Sequence, residues 1–357
     1  MARSRARARR GIRTLFAAGA LFLIFAVLAL FYSNSRVPRA GTMARVSIPA
    51  GASLAIAADS LSSARVIRSA RVFMMIARVT GGASGAIVPG RYLIPRGAGT
   101  AAILVQLHTG LNRYRRLLIP EGWGIRQIAT LVRDSLGADT ATFLAATRDP
   151  ARRARMRTAA ADVEGYLFPA TYDFAIGVTA GMAVDTMLTT FERRWKRSWD
   201  SVIIAQNRTR HDVVTLASIV EKEAGRSVDR PMISAVYLNR LRAGMRLQAD
   251  PTVIYGMGLV SKKRVIFADL RIASPYNTYR VSGLPPGPIA SPGTESLAAA
   301  IQPAASDALF FVAFPDGHSE FTRTFAQHAV AVRAARKARD AGAAERRGAA
   351  VEGSTTR

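Results

Sequence analysis

Between Arg13 and Arg36 the chain carries no charged side chain, and from Leu15 to Tyr32 it is almost wholly apolar. No other feature restricts the fold so strongly, because a helix of about 20 apolar residues spans the hydrocarbon core of a bilayer. Arg3, Arg5, Arg7, Arg9, Arg10 and Arg13 precede the run, whereas only Arg36 and Arg39 closely follow it. That asymmetry keeps residues 1–13 in the cytoplasm as a basic segment and places the body of the protein outside. A cleaved signal peptide would have a shorter apolar region, about 7 to 15 residues, ending in a small-x-small pattern. This run ends in Leu30-Phe31-Tyr32, so residues 14–35 are expected to be an uncleaved single-pass anchor.

The formal charge is +26. The first 13 residues and the stretch after 332 hold only part of it, so the middle is strongly basic and suited to polyanions such as nucleic acid, anionic lipid or an acidic wall polymer. No nucleic-acid-binding motif is present, and an external body argues against that partner. Cysteine is absent, which excludes disulfides and thiolate chemistry. His108, His211, His318 and His328 are scattered without metal-ligand spacing. Neither a metal nor an organic cofactor is expected.

One punctuation occurs three times, as Ile48-Pro49-Ala50-Gly51, Ile94-Pro95-Arg96-Gly97 and Ile119-Pro120-Glu121-Gly122. Each follows a β-prone stretch and precedes an amphipathic one. Proline ends the strand and glycine permits the turn, so strand, tight turn and helix form a recurring unit. The first unit resembles half of a LysM-type glycan-binding module, although ordinary βα turns need the same residues. Val66 to Ile76 reads as a second helix and Gly81 to Gly85 as a loop. That loop lacks the lysine and hydroxyl residue of a phosphate-binding loop. Residues 138–160 read as a helical connector, and Met182 to Trp199 as one helix.

His211 to Gly225 reads as a further helix, with His211 or Asp212 capping its start and Gly225 ending it. Leu216, Ile219 and Val220 share a face with Glu223, while Glu221 lies on the other shoulder of the apolar arc. A carboxyl packed among aliphatic side chains holds its proton toward neutral pH, which suits a general acid. Periodicity does not separate the two acids. Val228 to Leu241 reads as another helix, and Asp250-Pro251 as a turn. Gly283 to Gly293, with four prolines and three glycines, reads as a stiff loop walling a cleft. Leu309 to Phe314 reads as a strand, and residues 336–357 as a basic disordered tail or a fraying helix.

The residues Val163-Glu164-Gly165-Tyr166-Leu167-Phe168-Pro169, the helix with its two acids, Val236-Tyr237-Leu238-Asn239-Arg240-Leu241, the segment Gly244 to Gly256, Pro275 to Tyr279 and Gly283 to Ile289 occur in order along the chain. Together they closely resemble the endolytic murein transglycosylase family, single-pass enzymes that cut nascent peptidoglycan. Relatives usually have an aspartate where this chain has Ala170. The resemblance implies a LysM-like α/β module at 36–115, a connector at 116–160 and a mixed α+β catalytic domain at 161–335. It also implies an external catalytic domain on the bacterial inner membrane, glycan strands as substrate, and peptidoglycan synthases as partners. Glu223 becomes the expected catalytic residue. Glu164, Gln248, Asp250, Asn277, Thr278 and Tyr279 become the expected sugar-binding residues, and an inactive glycan-binding scaffold is the alternative.

Overall fold

The computed structural model describes residues 42–259 and 265–354, those after 341 by backbone alone. The basic segment 1–13 and the expected anchor 14–35 lie outside the described residues. Among the described residues, no helix is long and apolar enough to cross a membrane. The fold is α+β, as expected. It divides into two compact units, residues 42–116 with 173–176, and residues 117–172 with 177–354.

The first unit contains β1 (Met43–Ile48), α1 (Leu54–Ser63), α2 (Ala70–Val79), β2 (Gly90–Pro95) and α3 (Thr100–Thr109). β1 and β2 are antiparallel, with Met43 opposite Pro95 and Ile48 opposite Gly90. Ala44, Val46 and Ile48 alternate inward along β1 and join Leu61, Phe73, Tyr92, Ile94 and Ile103 in one core. Burying each large apolar side chain there contributes about 1.5–3 kcal/mol. The second helix begins at Ala70 rather than Val66, because Ser69 caps it by accepting the Val72 N–H at 3.4 Å, while Val66 and Ile67 are already buried before it.

All three Ile-Pro-x-Gly stretches do join a strand to a helix. Gly51, Gly97 and Gly122 each adopt positive φ, between +70° and +79°, where a side chain would be strained.

The chain passes into the second unit within β3 (Tyr114–Leu118). It continues through α4 (Ile125–Leu136), α5 (Thr140–Thr147), α6 (Pro150–Met156), β4 (Thr171–Ala175), α7 (Ala180–Arg194) and α8 (Arg197–Ala205). Next come α9 (Arg210–Glu223), α10 (Arg230–Arg242), α11 (Asp250–Gly256), α12 (Thr294–Ile301), β5 (Phe310–Ala313), β6 (Ser319–Thr322) and α13 (Phe325–Ser354). β3 pairs with β4, and β5 with β6. Residues 117–160 belong to this second unit and do not form a separate connector, since α5 packs against both α4 and α7.

Several boundaries differ from expectation for identifiable reasons. The helix expected over 182–199 is two helices, broken at Trp195, whose backbone turns extended. Its indole N–H donates to Asp200 at 2.9 Å, and its ring stacks on Phe191. Asp250-Pro251 opens a helix, since proline in the first turn lacks an N–H that the helix would not have paired. Helix α13 runs to Ser354, through the stretch expected to be a basic disordered tail or a fraying helix; its alanines and arginines are strong helix formers.

Helix α9 is the centre of the unit. Val213 to Val220 are buried without interruption, so this helix has no polar face over two turns and packs against α8, α10, α11 and α12. Its cap is Thr209, not His211 or Asp212. The Thr209 hydroxyl accepts the Asp212 N–H at 3.1 Å, and the Asp212 carboxylate accepts the Thr209 N–H at 2.8 Å, a reciprocal box. The loop from Gly283 to Gly293 threads across this helix and is itself mostly buried, with the Ile289 N–H donating to Ser218 Oγ at 3.0 Å.

Candidate active site

Past Val220 α9 emerges from the core, and there its two acids part. The Glu221 carboxylate is 7% exposed and fully engaged. It accepts the Gly293 N–H at 3.0 Å, the Ser296 hydroxyl at 2.7 Å and the Arg230 guanidinium at 3.3 Å. Glu223 has one hydrogen bond, accepted at 3.0 Å from the Tyr237 hydroxyl of α10. The rest of its carboxyl lines a cleft of about 760 Å³.

The cleft is built by α4, α5, the end of α9, α11 and the Asp162–Glu164 turn. Burial pushes the Glu223 carboxyl up to about 7; the negative charge of Asp250 adds to this, while the Tyr237 hydroxyl and the Arg240 charge oppose it. Tyr237 is buried and held well above the ordinary phenol range, first by burial and then by the Glu223 charge. It therefore remains a donor. Arg240, also buried, spends its guanidinium on the Leu309 and Leu247 carbonyls at 2.7 and 2.6 Å. It acts on Glu223 as a background charge.

Glu164 is a second buried acid in the cleft. It accepts the Ile125 N–H at the start of α4 at 3.0 Å, and the Tyr255 hydroxyl at 3.4 Å. Burial, reinforced by Asp162, pushes it up to about 8 despite these donors. A carboxyl at a helix N-terminus is ordinarily stabilised as the anion; here desolvation outweighs that effect.

The remaining expected sugar contacts divide. Asp250 is exposed in the cleft, one oxygen accepting the Tyr279 hydroxyl at 2.7 Å. Asn277 and Thr278 are fully buried and serve the fold. The Asn277 amide donates to the Leu270 and Ile272 carbonyls at 3.0 Å each, and its oxygen accepts the Tyr279 N–H. Thr278 accepts the Ala249 N–H at 2.9 Å and bonds Thr252 at 2.8 Å. Gln248 sits at φ +51° with an exposed side chain outside the cleft lining. These two buried residues shape the turn that carries Asp250 and Tyr279.

Sequence reasoning missed Tyr237 as the partner of Glu223, Tyr255 as the partner of Glu164, and the α4 and α5 contribution to the cleft. Tyr237 could have been found, as it lies on a helix that follows the acid directly. His318 pairs with Asp316 at 2.6 Å and stacks on Phe314 in the β5–β6 hairpin, away from the cleft lining.

The YceG-like family model matches residues 46–334. The chain belongs to the YceG-like family. Two curated relatives are named endolytic murein transglycosylase. The protein of Bacillus subtilis (strain 168) is 34% identical over 302 residues, covering 80% of this chain and 83% of that one. The protein of Streptococcus pneumoniae serotype 2 is 29% identical over 326 residues, and the match spans 58% of its length. A crystal structure of a yceG-like protein from Listeria monocytogenes is similar with a TM-score of 0.56 and 33% identity, covering 81% of this chain and 99% of that one. In this YceG-like chain the position of Ala170 contributes backbone, its carbonyl accepting the Ile119 N–H at 2.9 Å.

Proposed function

We propose that this protein is an endolytic lytic transglycosylase that cuts the MurNAc–GlcNAc bond of peptidoglycan, with Glu223 as its acid and base. The observation that carries the reading is the difference between the two acids of α9. In a chain similar to named murein transglycosylases, one acid is consumed by the fold, and the other is half-buried, poised near neutrality and open to a cleft.

Glu223 in its protonated form donates to the glycosidic oxygen as the bond to C1 breaks. The C6 hydroxyl of the same muramic acid then attacks C1, and the Glu223 carboxylate takes the hydroxyl proton. One carboxyl thus serves twice, no water is consumed, and the product ends in a 1,6-anhydro sugar. An ordinary glycosidase would need a second carboxylate as base or nucleophile. Tyr237 fixes one Glu223 oxygen, leaving the other for substrate. The Asp250 charge that acts on Glu223 also favours the positive charge that develops at C1.

The membrane position rests on the apolar run 14–35 and the arginines before it. It places the enzyme on the outer face of the inner membrane, where it ends glycan elongation beside the synthases. The β-α-α-β order of the first unit supports a LysM-like glycan-binding role for it.

The test is mass spectrometry of uncrosslinked glycan strands after incubation with the protein or with Glu223→Gln. Anhydro-ended fragments from the unaltered protein alone are expected. Reducing ends would mean hydrolysis, and binding without any product would favour a scaffold.

A further inference from the structure

The cleft also has a basic side that the chemistry above does not use. Arg126 and Thr130 lie one turn apart on α4, and Thr140, Leu144 and Arg148 lie at successive turns along α5 and its end; all five line the cleft. Both arginines are exposed. Arg126 reaches toward the far end of α11, its Nη1 lying 3.9 Å from where a Cβ on Gly258 would sit.

Three arginines of this region that face away from the cleft are paired with carboxylates, while Arg153 spends one nitrogen on the Ala160 carbonyl. Arg133 pairs with Asp134 at 2.8 Å, Arg152 with Asp185 at 2.8 Å and Arg155 with Glu192 at 2.5 Å. Among the described residues, no carboxylate pairs with Arg126 or Arg148. Beside them, the Thr140 hydroxyl oxygen is buried with no hydrogen-bond partner, a group whose burial is costly until something bonds it.

We infer that this face is an anion subsite that receives carboxylates of the stem peptide while the glycan lies against Glu223. The inference rests on the transglycosylase reading for the identity of the substrate. A chain of N-acetylglucosamine with lactyl-amidated muramic acid is neutral, so the anions near a scissile bond are those of the peptides it carries. Guanidinium groups bind carboxylates through paired, charge-assisted hydrogen bonds.

The test measures binding of full-length Glu223→Gln protein in detergent to three ligands: strands with intact stem peptides, strands stripped of peptides by an amidase and then amidated at the lactyl carboxylates this frees, and strands whose peptide carboxylates are converted to amides. Adding Arg126→Gln and Arg148→Gln should weaken binding to intact strands about tenfold and change binding to the other two less than about twofold. Lysine at both positions should restore part of the loss. Equal losses on all three ligands, or none on intact strands, would overturn the subsite. A loss that persists on amidated strands would do the same by pointing to another anion, such as a lipid-linked diphosphate. Anhydro product formation by the protein with Glu223 intact is scored separately, so failure of the transglycosylase reading leaves the binding comparison able to judge the arginines.

Discussion

The Tyr237 hydroxyl lies 3.0 Å from Glu223 Oε1, joining the first helix after the acid to the acid itself. Burial raises the Glu223 carboxyl to about 7, and this hydrogen bond is the largest influence pulling it down. Tyr237→Phe should therefore raise it further. A general acid works while protonated, so activity should fall as pH rises through about 7, and that falling limb should move to higher pH in Tyr237→Phe. A pH profile of kcat/KM on glycan strands checks this. An unmoved limb would detach Tyr237 from the acid.

The two acids of α9 should fail in different ways. Glu223→Gln should keep the fold and lose cleavage. Glu221→Gln should keep the chemistry but lose about 1–3 kcal/mol of stability, because the largely buried Arg230, 11% exposed, is left with less charge to meet. Urea unfolding beside an activity assay separates them. The reverse pattern would move the catalytic assignment to Glu221.

Glu164 gives a stability signature of its own. Its carboxyl is raised from about 4.5 to about 8 in the folded protein, so the folded state binds its proton more tightly than the unfolded chain. The contribution is fully present below about 4.5 and is lost as pH rises through about 8. Glu164→Gln should flatten the decline of stability between pH 5 and 8 and be relatively more stable at pH 8. Unfolding free energies across that range measure the slope, and an unchanged slope would show that the acid is not desolvated.

Gly165 adopts φ +81°, and a Cβ there would sit 2.4 Å from Pro288 Cβ and 3.1 Å from Val214. Gly165→Ala should cost about 2–4 kcal/mol through strain and overpacking against the proline-rich loop. A thermal shift of only a degree or two would mean that the loop gives way easily.

What was legible in the sequence was local or helical. The Ile-Pro-x-Gly stretches announced their turns because proline and glycine act on their own backbone. The acids of α9 stood out because charge ends an apolar run. Asn277 and Thr278 read as sugar contacts because an amide and a hydroxyl look alike whether they face a sugar or, as their buried groups do here, backbone and Thr252 within the fold. The basic side of the cleft was illegible for a different reason. Arg126 and Arg148 sit among many arginines, and only the folded structure separates the paired from the unpaired. The true cap of α9 was missed by two residues because Thr209 lies among charged residues that mask the reciprocal box with Asp212.

The uninterrupted burial of Val213 to Val220 has a consequence for motion. With no solvent-facing side on those two turns, their amides have no local route to exchange and should take up deuterium only when the whole unit opens. The acid at the end of that helix is thus fixed to the slowest-moving part of the unit, and a glycan strand has to bend to the acid, since the acid has little freedom to follow the strand.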